Sequence, residues 1–99
     1  VGKVKQMKIT RLYNGGKLYE YDSGDKSWFL NGFLHRTDGP AIEFANGDKF
    51  WFLNDNLHRE DGPAIEWGSG QKEWLINGKL IPCKTQEQFE RLMRLKAFW

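Results

Sequence analysis

Trp28-Phe29-Leu30-Asn31-Gly32-Phe33-Leu34-His35-Arg36-Thr37-Asp38-Gly39-Pro40-Ala41-Ile42-Glu43-Phe44 returns 23 residues later, without a gap, as Trp51-Phe52-Leu53-Asn54-Asp55-Asn56-Leu57-His58-Arg59-Glu60-Asp61-Gly62-Pro63-Ala64-Ile65-Glu66-Trp67. A third copy opens as Trp74-Leu75-Ile76-Asn77-Gly78-Lys79-Leu80 and then departs. Gly24, Gly47 and Gly70 keep the same interval, and Tyr19-Glu20-Tyr21 matches Ile42-Glu43-Phe44. Agreement at so many positions is not coincidence. The chain carries a repeated unit, and such units bury their apolar faces by stacking on one another.

Within a unit the residues read as strand, turn, strand, turn. Ala41-Ile42-Glu43-Phe44-Ala45 alternates, with Ile42 and Phe44 on one face. Asn46-Gly47 follows and predicts a two-residue hairpin turn with both central residues at positive φ; Ser23-Gly24 and Ser69-Gly70 occupy the same slot. Lys49-Phe50-Trp51-Phe52-Leu53 then reads as one returning strand, and Asn54-Asp55 as the next turn, matching Asn31-Gly32 and Asn77-Gly78. Asn14-Gly15 takes that second role in the leading copy.

The copies separate two faces. Trp28, Trp51 and Trp74 do not vary, and their neighbours two residues on are Leu30, Leu53 and Ile76; this face is the expected core. On the other face Phe29, Phe50 and Phe52 form an aromatic strip, either exposed to a partner or covered by the C-terminal helix as a second layer.

The ends differ from the middle. Lys3-Val4-Lys5-Gln6-Met7-Lys8-Ile9-Thr10-Arg11-Leu12-Tyr13 predicts a first strand, whose lysines either guard a sheet edge or meet an acidic partner. After Leu80, Ile81-Pro82-Cys83 replaces the repeat, and Thr85-Gln86-Glu87-Gln88 predicts a capping box with Thr85 as N-cap. Phe89, Leu92, Met93 and Lys96 form one helical stripe, widened by Leu95, Phe98 and Trp99. The fold class is therefore mainly β, an antiparallel meander of 23-residue hairpin repeats with one C-terminal capping helix. It is read as a single domain over 1–99, with a basic strand at 1–17, the array at 18–83 and the helix at 84–99.

The formal charge of +2 conceals a division: residues 1–19 hold five bases and no acid, and residues 20–83 hold eleven acids against six bases. A uniformly basic surface favours nucleic acid, and this one does so only in part. No apolar run approaches the roughly 18–20 residues of a membrane span, and no secretory leader is visible, which together predict a cytoplasmic location. One cysteine, Cys83, excludes an internal disulfide framework and reads as a small buried hydrophobe.

The His-Arg-x-Asp-Gly-Pro-Ala element, His35 to Ala41 and again His58 to Ala64, lies between Trp-x-Leu-Asn-Gly segments at 23-residue spacing. It resembles MORN-variant repeats, such as occur in small bacterial, phage and giant-virus proteins, over roughly residues 18–80. Some variant members resemble antitoxin or immunity components, which implies binding and blocking another protein.

Catalytic constellations are weak by comparison. His35 and His58 each precede an aspartate by three residues, but the element recurs at structural spacing and reads as turn chemistry rather than a metal site. No Gly-x-Ser-x-Gly elbow or phosphate-binding glycine loop is present. The expectation is a non-enzymatic protein-binding module without cofactor or metal, acting as a stoichiometric inhibitor. Phe50 and Phe52 on the sheet and Arg91, Arg94, Phe98 and Trp99 on the helix are its expected contacts. The alternative is a nucleic-acid-binding protein that uses basic ends and exposed aromatics. A homodimer through an edge strand or the helix is a further arrangement the chain permits.

Overall fold

A computed structural model describes residues 7–95. The chain is mainly β, with antiparallel strands in a meander-like sheet and one C-terminal helix. The leading strands are long: β1 (Met7–Arg11), β2 (Lys17–Tyr21) and β3 (Lys26–Leu30). Shorter ones follow: β4 (Phe33–Leu34), β5 (Ile42–Glu43), β6 (Lys49–Phe50), β7 (Phe52–Leu53), β8 (Asn56–Leu57), β9 (Ile65–Glu66), β10 (Lys72–Glu73), β11 (Leu75–Ile76) and β12 (Lys79–Leu80). The helix α1 spans Gln86–Leu95. The main sheet runs β1-β2-β3-β5-β6-β9-β10 with β4 on β3, while β7-β8 and β11-β12 form two small hairpin sheets. The slab measures 57 × 31 × 17 Å.

The returning strand expected over Lys49–Leu53 is broken at Trp51, and its counterpart is broken at Trp74. The cause lies opposite. The β5–β6 pairing ends with Ile42 opposite Phe50, two residues after Pro40, which offers no N–H to extend the ladder. Trp51 becomes the pivot: its N–H donates to the Ala64 carbonyl, and its own carbonyl accepts from His58. β3 stays whole because β2 runs beside it as far as Lys17 opposite Phe29.

The two turn classes differ from each other. Asn31-Gly32, Asn54-Asp55 and Asn77-Gly78 have positive φ at both residues, as expected for their hairpins. At Ser23-Gly24, Asn46-Gly47 and Ser69-Gly70 only the glycine is left-handed, which corrects the two-residue expectation. Phe44 N–H donates to the Asp48 carbonyl and Gly47 N–H to that of Phe44, enclosing a three-residue loop. Asn46 keeps ordinary φ because its side-chain oxygen accepts the Asp48 N–H. Asn14-Gly15 belongs to this class as well, with Asn14 Oδ1 accepting from Gly16.

The tryptophan face is a core at one end only. Trp74 is buried and packs with Ile76, Ile81 and Phe89, whereas Trp28 and Trp51 are half-buried. A second cluster joins Ala64, Ile65 and Leu75 to Phe50, Trp51, Leu57 and Trp67. The helix covers Trp74 and its neighbours, so it is not the layer over Phe29, Phe50 and Phe52. Thr85 caps it by accepting the Gln88 N–H at 3.1 Å, and Gln88 reaches back to the Lys84 amide, one residue beyond a standard box.

Register also places Lys8, Glu20, Lys26, Glu43, Lys49, Glu66 and Lys72 in one row across the main sheet. Each interior member stands between two residues of opposite charge, and such cross-strand pairs stabilise a sheet by about 0.2–1 kcal/mol each. The opposite face carries Tyr19, Ser27, Ile42, Phe50 and Ile65 in register. One face carries this charge row alongside Leu18 and Trp28, and the other is aromatic and aliphatic.

Candidate functional site

The His-Arg-x-Asp-Gly-Pro element builds a latch. Arg59 lies over the Trp51 ring, its Cζ 4.1 Å from the centroid, and Arg36 covers Trp28 at 3.8 Å. Arg59 Nε donates to Asp61 at 2.8 Å, and Nη1 donates to Glu66 at 3.1 Å and to the Pro63 carbonyl at 3.2 Å. Arg36 makes the corresponding bonds to Asp38, Glu43 and the Pro40 carbonyl. The glycine in the motif supplies room: a Cβ on Gly62 would stand 2.7 Å from the Arg59 guanidinium carbon, and one on Gly39 equally close to Arg36. The aspartates therefore hold the arginines, and Asp38 also accepts from its own backbone amide.

The histidines join one unit to the next. His35 Nδ1 accepts the Asn54 N–H at 3.2 Å, and His58 Nδ1 accepts that of Asn77 at 2.9 Å. With Nδ1 as acceptor, the neutral ring carries its proton on Nε2, which in His58 faces Glu60 Oε2 at 2.9 Å. Among the described residues no group of three or more His, Cys, Asp or Glu side chains is placed to hold a metal ion. Burial pushes the Cys83 thiol up from its ordinary value, which disfavours the nucleophilic thiolate.

An open groove of about 560 Å³ runs between the two elements, lined by Arg36, Pro40, Trp51, Leu53, His58 and Arg59 among others. Asp38, Glu60 and Asp61 stand on it. The Arg36 hydrogen bond, and then its charge, hold the Asp38 carboxyl below its ordinary value. A depressed carboxylate contributes stability above its unfolded-state value, and that contribution is lost as pH falls through the folded value. The stability gap between wild type and Asp38→Asn should therefore stay constant above about pH 4 and close below it, as read from urea midpoints across the acid range.

A second groove, of about 550 Å³, opens on the aromatic face. Met7, Tyr21, Ile42 and Phe44 form its walls, and Ser27 lines it where Phe50 stands in the following unit. Met7, Ile9, Tyr21 and Phe44 are 44%, 50%, 39% and 39% exposed. Neither the Trp face nor the Phe29, Phe50, Phe52 strip includes this patch. Its sequence signal is Ser27, a small residue where Phe50 and Glu73 stand in the following copies.

Phe50 and Phe52 do not form one continuous strip. Phe50 is half-buried, edge-on to Phe44 at 5.7 Å and to Trp67 at 5.4 Å, so it belongs to a packed aromatic row. Phe52 lies beyond the Trp51 pivot in the β7–β8 hairpin and is not continuous with Phe50. Arg91 and Arg94 are exposed on the helix. Phe98 and Trp99 lie outside the described residues. No described helix is long and apolar enough to cross a membrane. Compared with models of protein families, with curated proteins and with solved structures, the chain matches none.

Proposed function

We propose that this protein acts by stoichiometric binding to a protein target, as an inhibitor or an antitoxin- or immunity-like factor of phage or bacterial origin working in the cytoplasm. The observation that carries the reading is the exposed apolar patch of Met7, Ile9, Tyr21 and Phe44, gathered on one face of a thin sheet. Exposed apolar side chains gathered on one face support an interaction surface. The resemblance of the repeats to MORN-variant arrays points the same way. Arg91 and Arg94 on the helix are proposed to supply a second, charged contact at the far end of the array.

One feature favours the nucleic-acid reading. Tyr13 is fully exposed in the loop between Arg11 and Lys17, a ring among cations suited to stacking a base. Affinity capture from bacterial lysate, with and without nuclease, separates the two. A single protein recovered near stoichiometry despite nuclease supports the protein-binding reading; loss of the catch with nuclease transfers the weight to nucleic acid. Arg91→Glu combined with Arg94→Glu is expected to leave the fold intact, since both side chains are exposed, and to weaken partner binding at least about tenfold. Retained affinity in that double variant would remove the helix from the interface.

A further inference from the structure

The two edges of the main sheet are unequal. β10 is two residues long and runs directly into buried Trp74 beneath the helix, whereas β1 is five residues long and pairs, among the described residues, only with β2. A strand of that length is a usable template for another strand, because its outward N–H and C=O groups form a continuous row.

The chemistry at this edge selects the occupant. The lysine–glutamate row that crosses the sheet ends here on Lys8, which has Glu20 on one side and, among the described residues, no acid on the other, whereas Lys26 and Lys49 each stand between two glutamates. Beside Lys8 and on the opposite face, Met7 and Ile9 present half-exposed apolar side chains that continue into the groove walled by Tyr21, Ile42 and Phe44. An added strand would therefore meet a cation on one face and apolar surface on the other. A second copy pairing through its own β1 is disfavoured, since residues 1–19 carry five bases and no acid and would set cation beside cation.

We infer that the β1 edge receives an extended segment of the protein partner in which acidic residues alternate with apolar ones. The acids continue the charge row beyond Lys8, and the apolar side chains extend the face of Met7 and Ile9. This inference rests on the protein-binding reading and gives it the partner's local chemistry.

The test uses the full chain, isotope-labelled, titrated with a short peptide of alternating valine and glutamate. A valine–lysine peptide and a proline-interrupted version of the glutamate peptide serve as controls. The expected result is amide shift perturbation centred on Met7–Arg11 with the glutamate peptide alone. Lys8→Glu should weaken that peptide about fivefold to tenfold and confer binding of the lysine peptide, an inversion that mere loss of folding cannot produce. Three results would overturn the inference: no binding above the proline-interrupted control, affinity unchanged by Lys8→Glu, or displacement of the peptide by oligothymidylate at lower concentration. Sedimentation showing a dimer that Lys8→Glu strengthens would assign the edge to a second copy and overturn it as well. Because Arg91 and Arg94 lie at the other end of the slab, failure here leaves the capture experiment free to support or reject protein binding independently.

Discussion

Phe89→Ala is expected to lower the unfolding free energy by about 3–5 kcal/mol. Phe89 is fully buried and packs on Trp74 with ring centroids 6.4 Å apart. The third unit has Pro82 where the earlier ones have Arg36 and Arg59, so no guanidinium exists to cover Trp74. The helix replaces that cover with Phe89, and Gln86 Oε1 accepts the Trp74 indole N–H at 2.8 Å. Removing the ring leaves a cavity among Trp74, Ile76 and Ile81, which the short β11–β12 hairpin has little means of closing. Urea unfolding followed by circular dichroism and tryptophan emission measures the cost. Leu95→Ala, at a side chain 69% exposed, should stay within about 0.5 kcal/mol of wild type. A Phe89→Ala cost below about 1 kcal/mol would show that the helix is not what closes the array.

Arg59→Ala should cost about 2–3 kcal/mol, well above the 0–1 kcal/mol of an exposed ion pair. The difference arises because Arg59 is only partly exposed and serves three acceptors while lying on Trp51. Its loss uncovers the indole face and deprives the Pro63 carbonyl and Glu66 of a donor in a half-buried setting. Arg59→Lys should recover only a minor part, because an ammonium cannot serve the same fork while stacking. A double-mutant cycle with Trp51→Leu isolates the stacking contribution, expected near 1 kcal/mol. Coupling indistinguishable from zero would reduce the latch to its ion pairs.

These two variants probe the same device in different units. Where the repeat supplies arginine, each tryptophan is covered by its own unit; where the repeat ends, the helix takes over. The buried core accordingly concentrates at the C-terminal end, around Trp74, Ile76, Ile81 and Phe89. The β1 end keeps apolar side chains at its surface.

The mainly β class, the strand-and-turn alternation and the terminal helix with its Thr85 cap are legible in the residues alone. These follow from short-range chemistry: period-two hydrophobicity, asparagine and glycine in left-handed turns, and a hydroxyl on an exposed helical amide. Local reading even contained the cause of the break at Trp51, since Pro40 lacks the N–H its neighbour needs. That cause became visible only once the register set Pro40 just beyond the last pair, Ile42 and Phe50. Tertiary structure alone decided which tryptophan is buried, that Phe50 and Phe52 belong to different sheets, and that seven residues far apart in sequence form one charge row. Each of these depends on what lies across a strand pair or above a ring, mostly at separations longer than any local pattern encodes. The candidate edge at β1 belongs to the same class: its lysine is legible in the chain, but its unmatched place at the end of a row exists only in the folded sheet.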